Sequence, residues 1–402
     1  MTRPEPSADT AEPELFGTAL LHDPHGGYSR LREQGPALRT TTPDGAPVWL
    51  VTRYADVRAG LTDPRLSLNK ATATSSGQHG ASMPSELDAH LLNMDPPDHN
   101  RLRRLVAPAF TPRNIGRLRP AVQQRTDALL DRFQDGSADV MSDLAAPLAL
   151  GVICDVLGVA EEDRRDFRTW TNTLRSPAPD AARASRQALK DMHGFLAGLI
   201  TYKRSQLGED LLSQMICARD HDDRLSEAEL VAMSFLLLFA GYDNTANLIG
   251  NTVLALLTHP DQLNSLRSGT LDVSRVVDEV LRWNSPSMLA SRRFAREAIQ
   301  IGDVRIAAGE RIWMSLVSAN RDPQAFGDPG TFNVDRPESG HLGFGQGLHF
   351  CLGAALARLE VEIAVLTLVR RFPSLRLAAT ADRLGWCESF RNRGLLGLPV
   401  VW

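Results

Sequence analysis

The chain has 402 residues, 43% hydrophobic and 23% charged, which excludes wholesale disorder and a coiled coil and leaves material for one large core or several small ones. The formal net charge is −4, so the basic excess of a nucleic-acid-binding protein is missing; the basic residues are 41 Arg and three Lys. Four cysteines, Cys154, Cys217, Cys351 and Cys387, stand far apart without a CxxC pair or a disulfide framework, which fits a reducing cytoplasm.

Residues 1–14 are polar and acidic with no apolar run behind them, and predict a disordered tail rather than a signal peptide. PVWLVT at 47–52 predicts a short strand, followed by a helix from Tyr54. Residues 62–97 are rich in Ser, Ala, Thr, Gly and Pro and predict a long irregular segment, a kind that usually carries function in compact proteins. From Asp98 to about Arg204 the pattern is helical, with breaks at Pro112, Gly136, Gly158 and Pro177. The longest apolar run, Val231–Ala240, is interrupted only by Ser234 and is about half of what a bilayer span needs, so no membrane segment is expected.

SEAE at 226–229 is a capping box, and nothing stops the helix it opens before Thr258-His259-Pro260. At ~1.5 Å per residue such a helix is about 48 Å long and must cross the core. Its middle, FLLLFAG, is apolar all round, as a buried helix should be. Asp243, Asn244 and Thr245 then put a carboxylate, an amide and a hydroxyl where polar groups are costly unless partnered. Gly241 weakens the helix just before them, and a local widening there would leave a groove; a polar helix–helix contact is the plainer reading. A second helix, Val273–Trp283, places Glu279 and Arg282 three apart on one face, where a solvated pair is the default. Strands are expected over 298–306 and 311–316 around the turn Ala308-Gly309. An irregular segment over 321–343, an amphipathic helix Leu352–Arg371 and a hairpin over 384–402 follow.

The chemistry concentrates in FGQGLHFCLG, residues 344–353. Three glycines and His349 surround Cys351, and a helix starts immediately after it. The free N–H groups and partial positive charge of that helix end favour a thiolate, and glycines let backbone amides turn toward the sulfur. One thiolate cannot build a structural zinc site, but it can be the single axial ligand of a haem iron. A nucleophilic cysteine and a plain buried cysteine are the alternatives. The dinucleotide fingerprint fails, because its third glycine is missing.

FGQGLHFCLG resembles the haem-ligand signature FxxGxxxCxG of the cytochrome P450 family, in its soluble bacterial, actinobacterial-type form. Glu279-Val280-Leu281-Arg282 matches the family's ExxR, and Arg336 the arginine that joins it. Ala240-Gly241-Tyr242-Asp243 matches the oxygen-activation segment of its central helix, and Asp95 through Arg103 a further motif; all stand in the family's order. The resemblance implies a mainly α fold with a small β region, a single triangular-prism haem-thiolate domain over 15–402. It implies haem b (iron protoporphyrin IX) with Cys351 as the iron ligand, Phe344 shielding the sulfur, and Gly345 and Gly353 in the cofactor-binding loop. His99, Arg103, Arg293 and His349 match the positions that bind the haem propionates, and charge-assisted bonds make that sensible. Glu279, Arg282 and Arg336 are then a buried structural network, and Asp243 serves a proton relay to dioxygen.

One position departs from the family pattern: Asn244 stands where Thr is usual, and Thr245 follows one place later, ~100° further around the helix. The catalytic set is therefore Asp243, Asn244 and Thr245. The resemblance implies hydroxylation or epoxidation of a bulky secondary metabolite. Asn244 keeps oxidative coupling or ring closure open as the alternative. The implied pocket wall includes Met83, Leu92, Ala240, Leu289 and Phe390, each of which is equally readable as core. From His99 through Arg119 there are six arginines and no acid; Arg101, Arg104, Arg113 and Arg117 would steer an acidic ferredoxin, itself reduced by an NAD(P)H-dependent reductase. A cytoplasmic monomer is expected. A haem sensor or carrier and a peroxide-driven enzyme are the rival functions.

Overall fold

A computed structural model describes residues 17–42, 45–73, 84–175, 181–222, 225–337 and 340–402; the expected tail at 1–14 and Met83 lie outside them. Helices carry most of the described chain. Six of them frame the site: α1 (Asp98–Val106), α2 (Arg119–Leu130), α3 (Ala146–Leu157), α4 (Glu227–Thr258), α5 (Val273–Trp283) and α6 (Ala354–Arg371). The strands are β1 (Ala37–Thr41), β2 (Pro47–Val51), β3 (Leu66–Ser67), β4 (Ser137–Asp139), β5 (Arg293–Ala295), β6 (Ile299–Ile301), β7 (Val304–Ile306), β8 (Arg311–Met314), β9 (Arg376–Leu377) and β10 (Pro399–Val401).

The capping box at the start of α4 is made. Glu229 N donates to Ser226 Oγ at 3.2 Å, and Ser226 N donates to Glu229 Oε2 at 2.8 Å. The helix packs on α3, α5 and α6 and buries most of its residues. It ends at Thr258, because Pro260 disfavours helical backbone at His259. The expected widening at Gly241 does not occur: α4 runs unbroken from Glu227 to Thr258. A Cβ at Gly241 would lie 2.8 Å from Ile153 Cδ1, so the glycine lets α3 approach closely rather than loosening the helix.

One stretch, Val140–Leu157, is long and apolar enough to cross a membrane, which inspection of uninterrupted apolar runs overlooked. It is 72% buried within the structure and is a core helix against α4.

The larger sheet has the order β1-β2-β8-β5-β3. β2 runs parallel to β8, with Leu50 opposite Trp313, and the other pairs are antiparallel. The strand expected over 298–306 is itself a hairpin: β6 and β7 pair across Gly302, whose φ is +58°. β5 was not foreseen; its three residues are too few to show a period. The C-terminal segment is a hairpin only in part. Trp386 bridges Leu395, but β10 leaves to pair with β4 and β9. Helix α6 starts at Ala354, with Gly353 at its N-cap, two residues later than expected.

Candidate functional site

Gly345 and Gly347 hold φ values of +71° and +73°, a region that strains L side chains. At Gly347 a Cβ would also lie 2.8 Å from Thr62 Cγ2. These turns fold the loop back so that Cys351 N donates to Phe344 O at 2.9 Å. Cys351 has accessible surface, yet burial raises its thiol pKa, with the Gly353 N–H and the Arg103 charge pulling the other way. The helix end favours a thiolate, and desolvation opposes it. A coordinated metal cation removes a thiol proton outright.

A matching opening occurs on α4. Phe239 is 38% exposed and Ala240 is exposed, while Gly241 and Asn244 are half-buried, in the middle of a helix that is otherwise mostly interior. Two of the polar residues there are met by residues outside helices. Asp243, 5% exposed, accepts at Oδ2 from Asn392 Nδ2 at 2.8 Å. Asn244 Oδ1 accepts from Ser287 Oγ at 3.4 Å, and Thr245 is buried beside them in sequence.

A cationic cluster stands near Cys351. His99 and Arg103 lie one turn apart on α1, His349 is on the cysteine loop, and Arg293 is on β5. The His99 and His349 rings are 4.3 Å apart between centroids. Arg103 donates to Phe350 O at 2.8 Å, and Arg293 to Leu61 O at 3.2 Å. Burial pushes the His349 pKa down to about 3, with His99 and Arg293 adding to the effect. Burial likewise takes Arg293 down to about 10. Among the described residues, no hydrogen bond of good geometry reaches either ring nitrogen of the fully buried His99, which has the Asn100 side chain near it, or Arg293 Nε. The nearby acid, Asp95, is engaged by Ser67, by Leu68 N at 3.0 Å and by Arg296 at 2.8 Å. Among the described residues these two guanidinium groups and two imidazoles, with unpartnered nitrogens on His99 and Arg293, form a seat for carboxylates supplied from outside the chain.

Glu279 and Arg282 are not solvated. They are 6% and 2% exposed and make a bidentate pair at 2.8 and 2.7 Å. Arg282 also donates to the carbonyls of Asn320, Pro329 and Thr331, and Arg336 Nε lies 3.6 Å from Glu279.

Of the expected pocket residues, Leu289 and Phe390 share one apolar cluster with Trp313. Ala240 faces the opening on α4, and Leu92 is half-buried in the turn Leu91–Asn93. Arg104, Arg113 and Arg117 are exposed, but Arg101 is bound to Glu229 at the start of α4 and leaves the expected basic patch.

Sequence inspection missed Asn392, Asn247 and Asn251. Asn251 Nδ2 donates to Asn284 O at 3.0 Å and to Arg393 O at 3.2 Å. A Cβ on Gly394 would overlap the Asn247 carboxamide. Asp243, Asn247 and Asn251 recur every four residues, one polar stripe along a buried helix, and that spacing was available as a signal.

The sequence model of the family described as Cytochrome P450 matches residues 46–269 and 273–380. The chain belongs to the cytochrome P450 family. It is 46% identical over 395 residues to cytochrome P450 107B1 of Saccharopolyspora erythraea, with 96% of each chain covered. It is 38% identical over 410 residues to 6-deoxyerythronolide B hydroxylase of the same organism, covering 97% of this chain and 99% of the relative. The solved structure of the tirandamycin C-bound P450 monooxygenase TamI superposes with a TM-score of 0.90 at 42% identity, covering 96% of this chain and 98% of that one. As a cytochrome P450 the protein is a monooxygenase with a haem-iron cofactor, and it takes dioxygen, a substrate and electrons from a redox partner. The residues present fit that cofactor: an accessible cysteine, with Arg103 and Arg293 and the unpartnered nitrogens of buried His99 near it for the carboxylates of a haem.

Proposed function

We propose that this cytochrome P450 is a cytoplasmic, monomeric haem-thiolate monooxygenase that holds haem b and hydroxylates or epoxidises a bulky secondary metabolite with ferredoxin-delivered electrons. The observation that carries the reading is Cys351, accessible in its glycine-turned loop, with His99, Arg103, Arg293 and His349 near it. Haem b held there supplies dioxygen activation and insertion of one oxygen atom into the substrate. Cys351 ligates the iron, and Phe344, packed 6.3 Å from Phe350 and beneath the Arg358 guanidinium, shields the sulfur's surroundings. Gly345 and Gly353 shape the loop; Arg103 and Arg293 as cations, with the neutral imidazoles of His99 and His349 as donors, hold the two propionates. On α4, Asp243 passes protons, and Asn244 and Thr245 order the groups or waters around it. Leu92, Ala240, Leu289 and Phe390 line the substrate space. The substrate class is supported by the relative named for 6-deoxyerythronolide B and by tirandamycin C bound to TamI. A screen of such metabolites for a spin-state shift in the haem spectrum, followed by product analysis, tests the reading; turnover by hydrogen peroxide alone, or no turnover, contradicts it.

Asn244 supports a second reading, oxidative coupling or ring closure. Its oxygen is engaged by Ser287, so the Nδ2 donor is the group it can offer across the opening. A positioned proton donor is worth up to ~10²-fold or more. Asn244→Ala is expected to raise peroxide leakage by about threefold or more while Asn244→Thr keeps leakage near the wild-type level. Unchanged leakage and turnover in both remove any proton-delivery role from Asn244.

The ferredoxin reading rests on Arg104, Arg113 and Arg117, exposed on the segment that Arg103 ties to the cysteine loop, next to the exposed Leu348 and Phe350. Arg104→Glu and Arg113→Glu are each expected to lower ferredoxin-supported turnover about tenfold at low salt, and much less at high salt, where the Debye length is short. Equal rates at every ionic strength contradict the docking face.

A further inference from the structure

The polar dipeptide at the centre of α4 is gripped from one place. Ser287 and Asn392 face each other in an antiparallel bridge, and each reaches one of two consecutive helix residues. Ser287 Oγ donates to Asn244, and Asn392 Nδ2 donates to Asp243 Oδ2 at 2.8 Å. The bridge is itself anchored. Asn392 N donates to Ser389 Oγ at 3.1 Å, Arg393 N to Pro286 O at 2.7 Å, and Met288 N to Arg391 O at 2.8 Å. Further along α4 the same hairpin is fixed by Asn251 and, at Gly394, by a close approach that admits no side chain. Asn392 therefore has little freedom, and the carboxyl it holds has little either.

We infer that Asn392 is a positioning residue for Asp243 and that the C-terminal hairpin, through it, sets the orientation in which Asp243 delivers protons. This rests on the proton-relay role given to Asp243 above. A carboxylate in a helix has two rotatable bonds, and one charge-assisted bond at Oδ2 fixes which way Oδ1 is presented. An amide suits the task because it donates at neutral pH without being able to take the proton itself. The proton comes from solvent and Asp243 recovers one after each transfer, so Asn392 undergoes no net change.

The test compares wild type with Asn392→Leu, Asn392→Gln, Asp243→Asn and the double variant Asp243→Asn/Asn392→Leu, all haem-loaded. Asn392→Leu is expected to keep the reduced carbon-monoxide spectrum and to bind substrate within about threefold of wild type by spin shift. Product formed per NADPH should fall about fivefold or more, with peroxide rising to match and the solvent isotope effect on product formation increasing. A merely structural contact would not move that isotope effect. Asn392→Gln should recover about half of the lost coupling, and Asn392→Leu should add little to Asp243→Asn. Wild-type coupling and isotope effect in Asn392→Leu overturn the inference. If wild type binds haem and forms no product, the monooxygenase reading fails separately, and melting temperatures then judge the contact: the double variant should melt no lower than the worse single variant, and additive losses overturn it.

Discussion

Cys351→Ser protein is expected to fold, to bind haem weakly or not at all, and to lose turnover by at least about a thousandfold, roughly 4 kcal/mol of barrier. The fold survives because Cys351 is accessible and the loop is held by other groups: the Gly345 and Gly347 turns, the Cys351 N–H on Phe344 O, and Arg103 on Phe350 O. Serine keeps the backbone bond and the size. What it removes is a polarisable anion able to ligate iron and push electron density toward bound dioxygen. Melting of the haem-free variant should match haem-free wild type, and a substantial loss would assign Cys351 a packing role instead. Retained turnover with a haem spectrum like that of wild type would show that the sulfur is not the ligand.

The second large effect is on folding, not chemistry. Glu279→Gln leaves Arg282 and Arg336 as buried cations with a weaker acceptor, and Arg282→Lys keeps the charge but loses the planar fork. That fork binds both oxygens of Glu279 and three carbonyls, those of Asn320, Pro329 and Thr331. Asn333 N also donates to Glu279 at 2.9 Å, so the pair stitches α5 to the segment 320–333 that precedes the cysteine loop. Breaking a buried, hydrogen-bonded ion pair costs about 3–5 kcal/mol, a large share of a typical protein's stability. Both variants should lower the denaturant midpoint of the haem-free protein and leave little that can be loaded with haem. A midpoint within error of wild type would mean that the network is dispensable to the fold.

What the sequence disclosed follows the range of the signals. The start of α4 was legible because its cap is made within three residues, and so was the possible pairing of Glu279 with Arg282, one helical turn apart. The surroundings that make that pair buried were not, since Asn320, Pro329 and Thr331 approach from nearly 40 to 50 positions away. The cysteine loop was recognisable as a string, but the balance at its sulfur also depends on packing, whose desolvation opposes the helix-end effect. Gly241 was read from propensity alone, and the close packing of Ile153 decides its role instead. Arg101 looked like a free surface charge until Glu229, 128 residues away, was seen to hold it. The Asn392 contact joins residues 149 apart, and only the four-residue polar period on α4 hinted that something had to meet that face.

The central claim is that Cys351, as a thiolate, ligates the iron of a haem seated by His99, Arg103, Arg293 and His349. The most direct measurement is the absorption spectrum of the purified, haem-loaded protein after reduction under carbon monoxide. The account predicts the red-shifted Soret band of thiolate coordination, abolished by Cys351→Ser and retained in Asn392→Leu. Protein that takes up no haem, or whose carbon-monoxide adduct absorbs like that of a histidine-ligated haem, contradicts it.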